Sequence, residues 1–357
     1  MQMIDPTSPL YIKPRWDPEL WRWLAEFARF CTWDHVEACM EIMAPLGMEA
    51  LHLFDRLVEE EAISCAYRND GYFAVCRTDE GVEDTRHEAA IIERYGYAPS
   101  LLTGDELRAF EPAFAEDVAG GVYFPEARTL DPGRFVTGLA GRIERMGVTV
   151  RTGAPVDDLI LDRGRATGVH TSNGEVMGAD AVVLATGPFS LSLAKRLGVR
   201  LPVQPGKGYH RDLPVGEGAA PPLRIASVLH ETSVFCTPLG DDVVRFAGTM
   251  EFSGLNDVMR PDRLEQLTTA ARRYFPTLGE ARPVSEWCGL RPMASDGLPI
   301  VGPLPGVDGV MVATGHGMLG LTLAPVTGVL IAEQVFDGRP SLDYAEGLFP
   351  ARFTRRP

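Results

Sequence analysis

Three glycines fall within six residues at Gly315-His316-Gly317-Met318-Leu319-Gly320. Residues 309–313 (GVMVA) just ahead of them read as a short buried strand, and a helix-like run follows and stops at Gly338. Without a Cβ, glycine backbone N–H groups can approach a ligand closely. The helix start adds unpaired donors and the positive end of a dipole. That combination suits an electron-rich, anion-forming ring edge or a phosphate. His316 reads as a loop-shaping residue or hydrogen-bond partner rather than a general base. The loop is preceded by Gly289-Leu290-Arg291-Pro292 and by Asp296-Gly297-Leu298-Pro299-Ile300-Val301-Gly302, which form an ordered set with it.

These groups need a sheet to position them. The run Ala181-Val182-Val183-Leu184-Ala185-Thr186-Gly187 reads as an apolar strand ending in a tight turn, with a helix over 190–197. Ligands in open α/β sheets sit at such carboxyl ends of strands. Elsewhere, Asp17 and Pro18 start a helix that reaches Phe30, and 36–61 is a second helical region broken near Pro45-Leu46-Gly47. Strands are expected at 71–76, 121–124 and 148–152 (VTVRT), then within DDLILD, ATGVHTS and AVVLA. Asn173-Gly174 marks a two-residue hairpin turn. Short helices are expected at 105–110 and 131–146, strand-rich chain from 202 to 249, and a helix at 260–275. No internal repeat is visible.

The 357 residues carry a net charge of −15, which disfavours nucleic acid as a partner because that binding needs clustered cations. The basic end (Arg352, Arg355, Arg356) reads as a solvated tail. Six scattered cysteines without a C-x-x-C pair argue for reduced thiols in the cytosol, mostly buried as small hydrophobes. No histidine has metal-ligand spacing with cysteines or acidic residues, and no metal is expected. No apolar run reaches the ~18 residues that would span a bilayer, and Met1 to Pro14 lacks the apolar core of a signal peptide.

The ordered carboxy-terminal set resembles the signature of flavin-dependent D-amino-acid dehydrogenases and their relatives, the glycine, sarcosine and D-amino-acid oxidases. Residues 21–31 (WRWLAEFARFC), 202–209 (PVQPGKGY) and 245–254 (RFAGTMEFSG) look like blocks of that family in the same order. The resemblance implies an α/β fold with an α+β substrate lobe: a Rossmann-like FAD-binding domain over 125–200 and 285–357, and an antiparallel-sheet substrate or cap domain over 1–124 and 201–284. It implies FAD as cofactor and oxidative deamination of a D-amino acid. A hydride passes from Cα to flavin N5, and the product imine hydrolyses to a 2-oxo acid and ammonia.

Site residues follow by the same resemblance. Arg291 matches the arginine that holds the substrate carboxylate, a task suited to a bidentate guanidinium. Gly315, His316, Gly317, Met318, Leu319 and Gly320 would line the flavin, their backbone stabilising charge at N1/O2, with the Thr322 hydroxyl at the O2 edge. Ala185, Thr186 and Gly187 form a turn passing close to the dinucleotide. Val156, in Gly153-Ala154-Pro155-Val156, occupies the place where a valine backbone pairs with the adenine edge. Tyr209 would face the ligand or belong to the core, and Phe73 and Phe235 are further pocket-wall candidates. Electrons would pass to a quinone, a respiratory carrier or oxygen, and a cytoplasmic enzyme peripheral to the inner membrane fits the first two.

The departure is at the front. The family opens with a strand, a G-x-G-x-x-G turn and a helix, roughly 30 residues that are absent near Met1, where the first glycine is Gly47. Relative to the family the chain reads as amino-terminally incomplete. It would be a dehydrogenase lacking that segment, a short subunit of a heteromeric amine dehydrogenase completed by a partner, or a homologue without turnover. Weak FAD binding by this chain alone is the corresponding expectation.

Overall fold

The computed structural model describes residues 2–215, 223–278 and 281–354, so Arg355 and Arg356 of the basic end lie outside the described residues. The first elements in chain order are β1 (Leu10–Ile12), α1 (Pro18–Phe30), α2 (Trp33–Glu60), β2 (Tyr72–Cys76), α3 (Asp79–Glu93), β3 (Ser100–Thr103), α4 (Gly104–Phe110), β4 (Gly120–Phe124) and α5 (Pro132–Arg145). There follow β5 (Val156–Asp162), β6 (Arg165–Thr171), β7 (Val176–Gly178), β8 (Val182–Leu184), α6 (Ser190–Arg196), β9 (Val203–Pro214), β10 (Ala226–Leu229) and β11 (Val234–Pro238). The chain continues through β12 (Val243–Phe252), α7 (Pro261–Arg272), β13 (Ser285–Ala294), β14 (Ile300–Pro303), β15 (Val310–Thr314) and α8 (Ala324–Phe336).

Local chemistry sets several of these boundaries. Asp17 caps α1 by accepting the Leu20 N–H at 3.1 Å, with Pro18 at the first helical position. Thr103 and Glu106 close a capping box on α4. Three expectations are corrected. α2 is not broken: it runs through Pro45, although proline removes a helical hydrogen bond, because the same stretch buries Ala44, Leu46 and Ala50. Residues 148–152 form no strand, and Val148 and Val150 are left exposed without a pairing partner. The turn at Asn173-Gly174 is wider than two residues: Thr171 and Glu175 pair across it, with Gly174 at φ +84° supplying the left-handed position.

Two compact units divide the chain. The first comprises Met1–Pro14, Glu61–Gly141 and Lys207–Gly289. Its sheet runs β13-β9-β12-β11-β10-β2-β4-β3, with β1 beside β12. Its pairs are mainly antiparallel, with β10·β2 and β1·β12 parallel. Its core gathers Phe73, Tyr209, Phe246, Leu267 and Tyr274. The blocks 202–209 and 245–254 are cross-strand neighbours here, with Tyr209 opposite Gly248 and Lys207 opposite Glu251. Fully buried Arg263 donates to the carbonyls of Pro6, Ser8, Pro9 and Met250, tying the chain ahead of β1 to α7.

The second unit comprises Arg15–Glu60, Arg142–Gly206 and Leu290–Pro357. It contains a sheet in the order β14-β15-β8, with β15·β8 parallel, and a separate antiparallel sheet β5-β6-β7. Residues 15–60, grouped with the substrate lobe on the sequence, fall in this unit, because Leu46 and Ala50 of α2 share a core with Val326 and Leu330 of α8. Residues 125–141 fall in the first unit, where Gly138 of α5 abuts Ile63. All six cysteines are free, and Cys65, Cys76 and Cys236 are buried.

Arg352 is no solvated tail. Its guanidinium grips the buried Asp296 carboxylate at 2.7 and 3.2 Å and donates to the Leu298 carbonyl at 3.0 Å. The peptide carbonyl of Asp296 is held by His35 Nε2 at 2.8 Å. Removing one partner of a buried pair strands the other charge. Arg352→Ala should therefore cost about 3 kcal/mol in urea unfolding. A loss below about 0.5 kcal/mol, the surface-substitution range, would show the pair to be dispensable.

Candidate functional site

β8 and β15 run parallel with Leu184 opposite Val312, so Ala185-Thr186-Gly187 and Gly315 leave the sheet at the same, carboxyl, end. The two turns are joined directly: the Thr314 hydroxyl donates to the Gly187 carbonyl at 2.8 Å. Thr186 Oγ1 and Ser190 Oγ lie 3.0 Å apart, fixing the turn into α6. Gly187 has φ +54° and Gly315 φ +74°, conformations that favour glycine. Ala185 and Thr186 are exposed at this edge.

The glycine loop is stitched to the strand that carries Arg291. Gly317 N–H donates to the Pro292 carbonyl at 2.9 Å, and His316 forms an antiparallel bridge with Met293. The other side of Met293 is fixed by Trp23, whose Nε1 donates to its carbonyl at 3.0 Å. Arg291 on β13 is thus one residue from the loop's anchor. Its guanidinium is half-buried, and burial pushes its pKa below the ordinary arginine value, though an arginine stays charged.

The loop donors divide into two groups. Gly317 and Leu319 spend their N–H groups internally, on Pro292 and on the His316 carbonyl at 2.9 Å each. Among the described residues no acceptor meets the N–H groups of Met318, Gly320, Leu321 or Thr322. Helix α8 begins at Ala324, two residues beyond Thr322, and no side chain caps its amino end. Met318, Leu319, Gly320 and Thr322 are exposed. Free donors, glycines without a Cβ and an uncapped helix start are what an anion-forming ring edge requires, so these residues fit the pyrimidine side of a flavin.

His316 is held through its ring. Nε2 lies 3.0 Å from Thr327 Oγ1, and the ring also bonds the Thr314 backbone. Burial pushes its pKa down to about 4, with the Thr314 hydrogen bond opposing it, so the ring is neutral near pH 7 and unsuited to act as a base there. The folded value lies below the ordinary 6.5. Its contribution to stability is complete above the ordinary value and is lost as pH falls toward the folded one. Urea unfolding of the wild type should lose on the order of 3 kcal/mol more than His316→Gln between about pH 7 and about pH 4. Parallel pH curves for the two proteins would contradict this.

The other expected residues lie on other elements. Val156 opens β5, in the separate β5-β6-β7 sheet, and is 39% exposed. In the first unit, Tyr209 is 1% exposed and its hydroxyl donates to Glu251 Oε2 at 3.1 Å. Burial, the first cause, and the Glu251 carboxylate both raise its pKa. Phe73 has no exposed surface and packs against Tyr123 and Phe110. Neither presents a pocket wall; both are core residues, whereas Phe235 is 45% exposed. The residues missed on the sequence are Thr314 and Thr327, buried hydroxyls flanking the glycine loop; Thr314 adjoins Gly315 directly, which was the available signal.

Comparison with known proteins gives a consistent set of likenesses. Residues 14–334 match the family FAD dependent oxidoreductase. A D-amino acid dehydrogenase of Methylobacterium nodulans is 36% identical over 351 residues, spanning 97% of this chain and 82% of that protein. The D-amino acid dehydrogenase of Xanthobacter autotrophicus is 33% identical, spanning 95% and 80%. Among solved structures, glycine oxidase from Geobacillus kaustophilus superposes with a TM-score of 0.81 at 26% identity, covering 87% of this chain and 83% of that one. L-proline dehydrogenase from P. horikoshii, at 20% identity and a TM-score of 0.78, shares the fold, with 87% and 83% covered.

Proposed function

Because the chain belongs to the FAD-dependent oxidoreductase family, we propose that it oxidises a D-amino acid at the α-carbon, yielding an imine that hydrolyses to a 2-oxo acid and ammonia. When bound, FAD accepts the electron pair and the hydrogen that leave the α-carbon. The chain's own residues supply binding and electrostatics. Arg291 would clamp the substrate carboxylate through two charge-assisted hydrogen bonds and so fix which C–H is presented. The free N–H groups of Met318, Gly320, Leu321 and Thr322, with the dipole of α8, would stabilise negative charge on the reduced ring. Ala185-Thr186-Gly187 would pass along the dinucleotide, and Val156 would meet its adenine. Neutral His316 shapes the loop and moves no proton.

One observation supports this reading: the 2.9 Å bond from Gly317 to Pro292, which ties the backbone of the loop to the strand residue next to Arg291. A quinone or respiratory carrier is the proposed electron acceptor, with the enzyme working in the cytoplasm against the inner membrane. No helix among the described residues is long and apolar enough to cross a membrane. The surface placement draws support from exposed Trp16, Trp21 and Trp33 of the second unit, since tryptophan favours the headgroup interface. Anaerobic mixing of the FAD-loaded protein with D-alanine and L-alanine tests the function. Bleaching of oxidised flavin by the D enantiomer, with 2-oxo acid formed, is expected; bleaching by neither, across a panel of D-amino acids, would contradict it.

A further inference from the structure

We propose that Thr327 is a positioning residue for the glycine loop: its hydroxyl, acting through His316, holds the backbone donors of residues 318–322 in place. The inference rests on the reading that those donors meet the flavin. The His316 ring has two nitrogens, and Nε2 is the one 3.0 Å from Thr327 Oγ1. In the neutral imidazole one nitrogen carries the hydrogen and the other a lone pair, and a hydroxyl can serve either by accepting or by donating. The Thr327 hydroxyl and His316 Nε2 are therefore paired in either tautomer.

The placement of this bond gives it leverage. Thr327 sits in the first turn of α8, is 9% exposed, and its N–H is already used by the Leu323 carbonyl at 2.9 Å. His316 lies on the other side of the loop, immediately before Gly317. Their side chains tie the loop's beginning to the helix that follows it. Met318, Leu319 and Gly320 between them are exposed and so are not fixed by burial. The aim of their N–H groups depends on the two ends. Pro292 fixes the beginning, and the Thr327–His316 pair ties that beginning to the helix at the loop's end.

Thr327→Val keeps the shape and removes the hydroxyl, leaving Nε2 without its hydrogen-bond partner. Thr327→Ser keeps the hydroxyl. The test uses full-length protein with 15N-labelled histidine, reading the His316 ring nitrogens by NMR with and without FAD, together with FAD affinity by fluorescence titration. In Thr327→Val the His316 nitrogen signals should move, and the FAD dissociation constant should rise about tenfold, the effect of one hydrogen bond. Thr327→Ser should restore both. Unmoved His316 signals in Thr327→Val, a comparison the apo protein alone provides, would overturn the proposal whatever the flavin does. Moved signals with unchanged FAD affinity would overturn the positioning role. Equal impairment in Ser and Val variants would reduce Thr327 to packing and overturn it too. FAD affinity unchanged by Gly320→Ala alone would instead overturn the flavin-loop reading, while the histidine signals still report the Thr327 bond.

Discussion

Arg291→Leu should lower kcat/KM for D-amino acids by about 10²-fold or more, mostly through KM, while flavin content stays near normal. The expected loss corresponds to roughly 3 kcal/mol for a charge-assisted bidentate contact. Leucine fills part of the arginine's volume, so the half-buried site on β13 is not emptied. Arg291→Lys separates charge from geometry: the ammonium keeps the positive charge but loses the planar fork. It should recover activity only in part. Unchanged kcat/KM in the leucine variant would remove Arg291 from the site, and equal loss of flavin and activity would make it a structural residue.

Gly317→Val should deplete bound flavin several-fold. At φ +56° the backbone is in the left-handed region, where a β-branched residue is strained. A Cβ there would meet Met293 Sδ at an ordinary 3.5 Å, so the cost is conformational rather than a clash. Because the Gly317 N–H anchors the loop to Pro292, relaxing that strain moves every donor after it. Gly320→Ala is the companion variant. Gly320 is not among the glycines with positive φ, and its Cβ would come no nearer than 3.8 Å to His316 Cβ. Its folding should be untouched, so flavin lost from it reports a backbone that the cofactor approaches. The readout is flavin-to-protein ratio after gel filtration, with circular dichroism as a folding control. A Gly317→Val protein that folds and keeps its flavin would show that the loop does not seat the ring.

Much of this architecture was legible because it depends on local signals. The strand before Gly315, the helix ending at Gly338, the Asp17 cap and the Ala-Thr-Gly turn all follow from residue type and spacing, and appear within a few residues of expectation. What was not legible depends on partners far along the chain. Which loop N–H groups are free turns on the carbonyl of Pro292, set by β13, and on the inward carbonyl of His316. Pro45 reads as a helix breaker locally, yet the buried face around Leu46 and Ala50 carries α2 past it. VTVRT has strand composition, yet it forms no strand among the described residues, although Arg151 reaches Glu175 just ahead of β7 at 2.6 Å. Tyr209 sits in a sequence block that looks like ligand contact, and its cross-strand neighbours claim it for the core. Arg352 reads locally as one of three terminal cations, and its partner Asp296 lies 56 residues away.

The most direct test is a crystal structure of the protein with FAD and benzoate, a carboxylate that cannot be oxidised as an amino acid is. The flavin pyrimidine edge should lie within hydrogen-bond distance of the N–H groups of Met318, Gly320, Leu321 or Thr322, with the benzoate carboxylate on the Arg291 guanidinium. A flavin ring seated away from residues 315–322, or a benzoate held by another cation while Arg291 stays clear of it, would contradict that assignment.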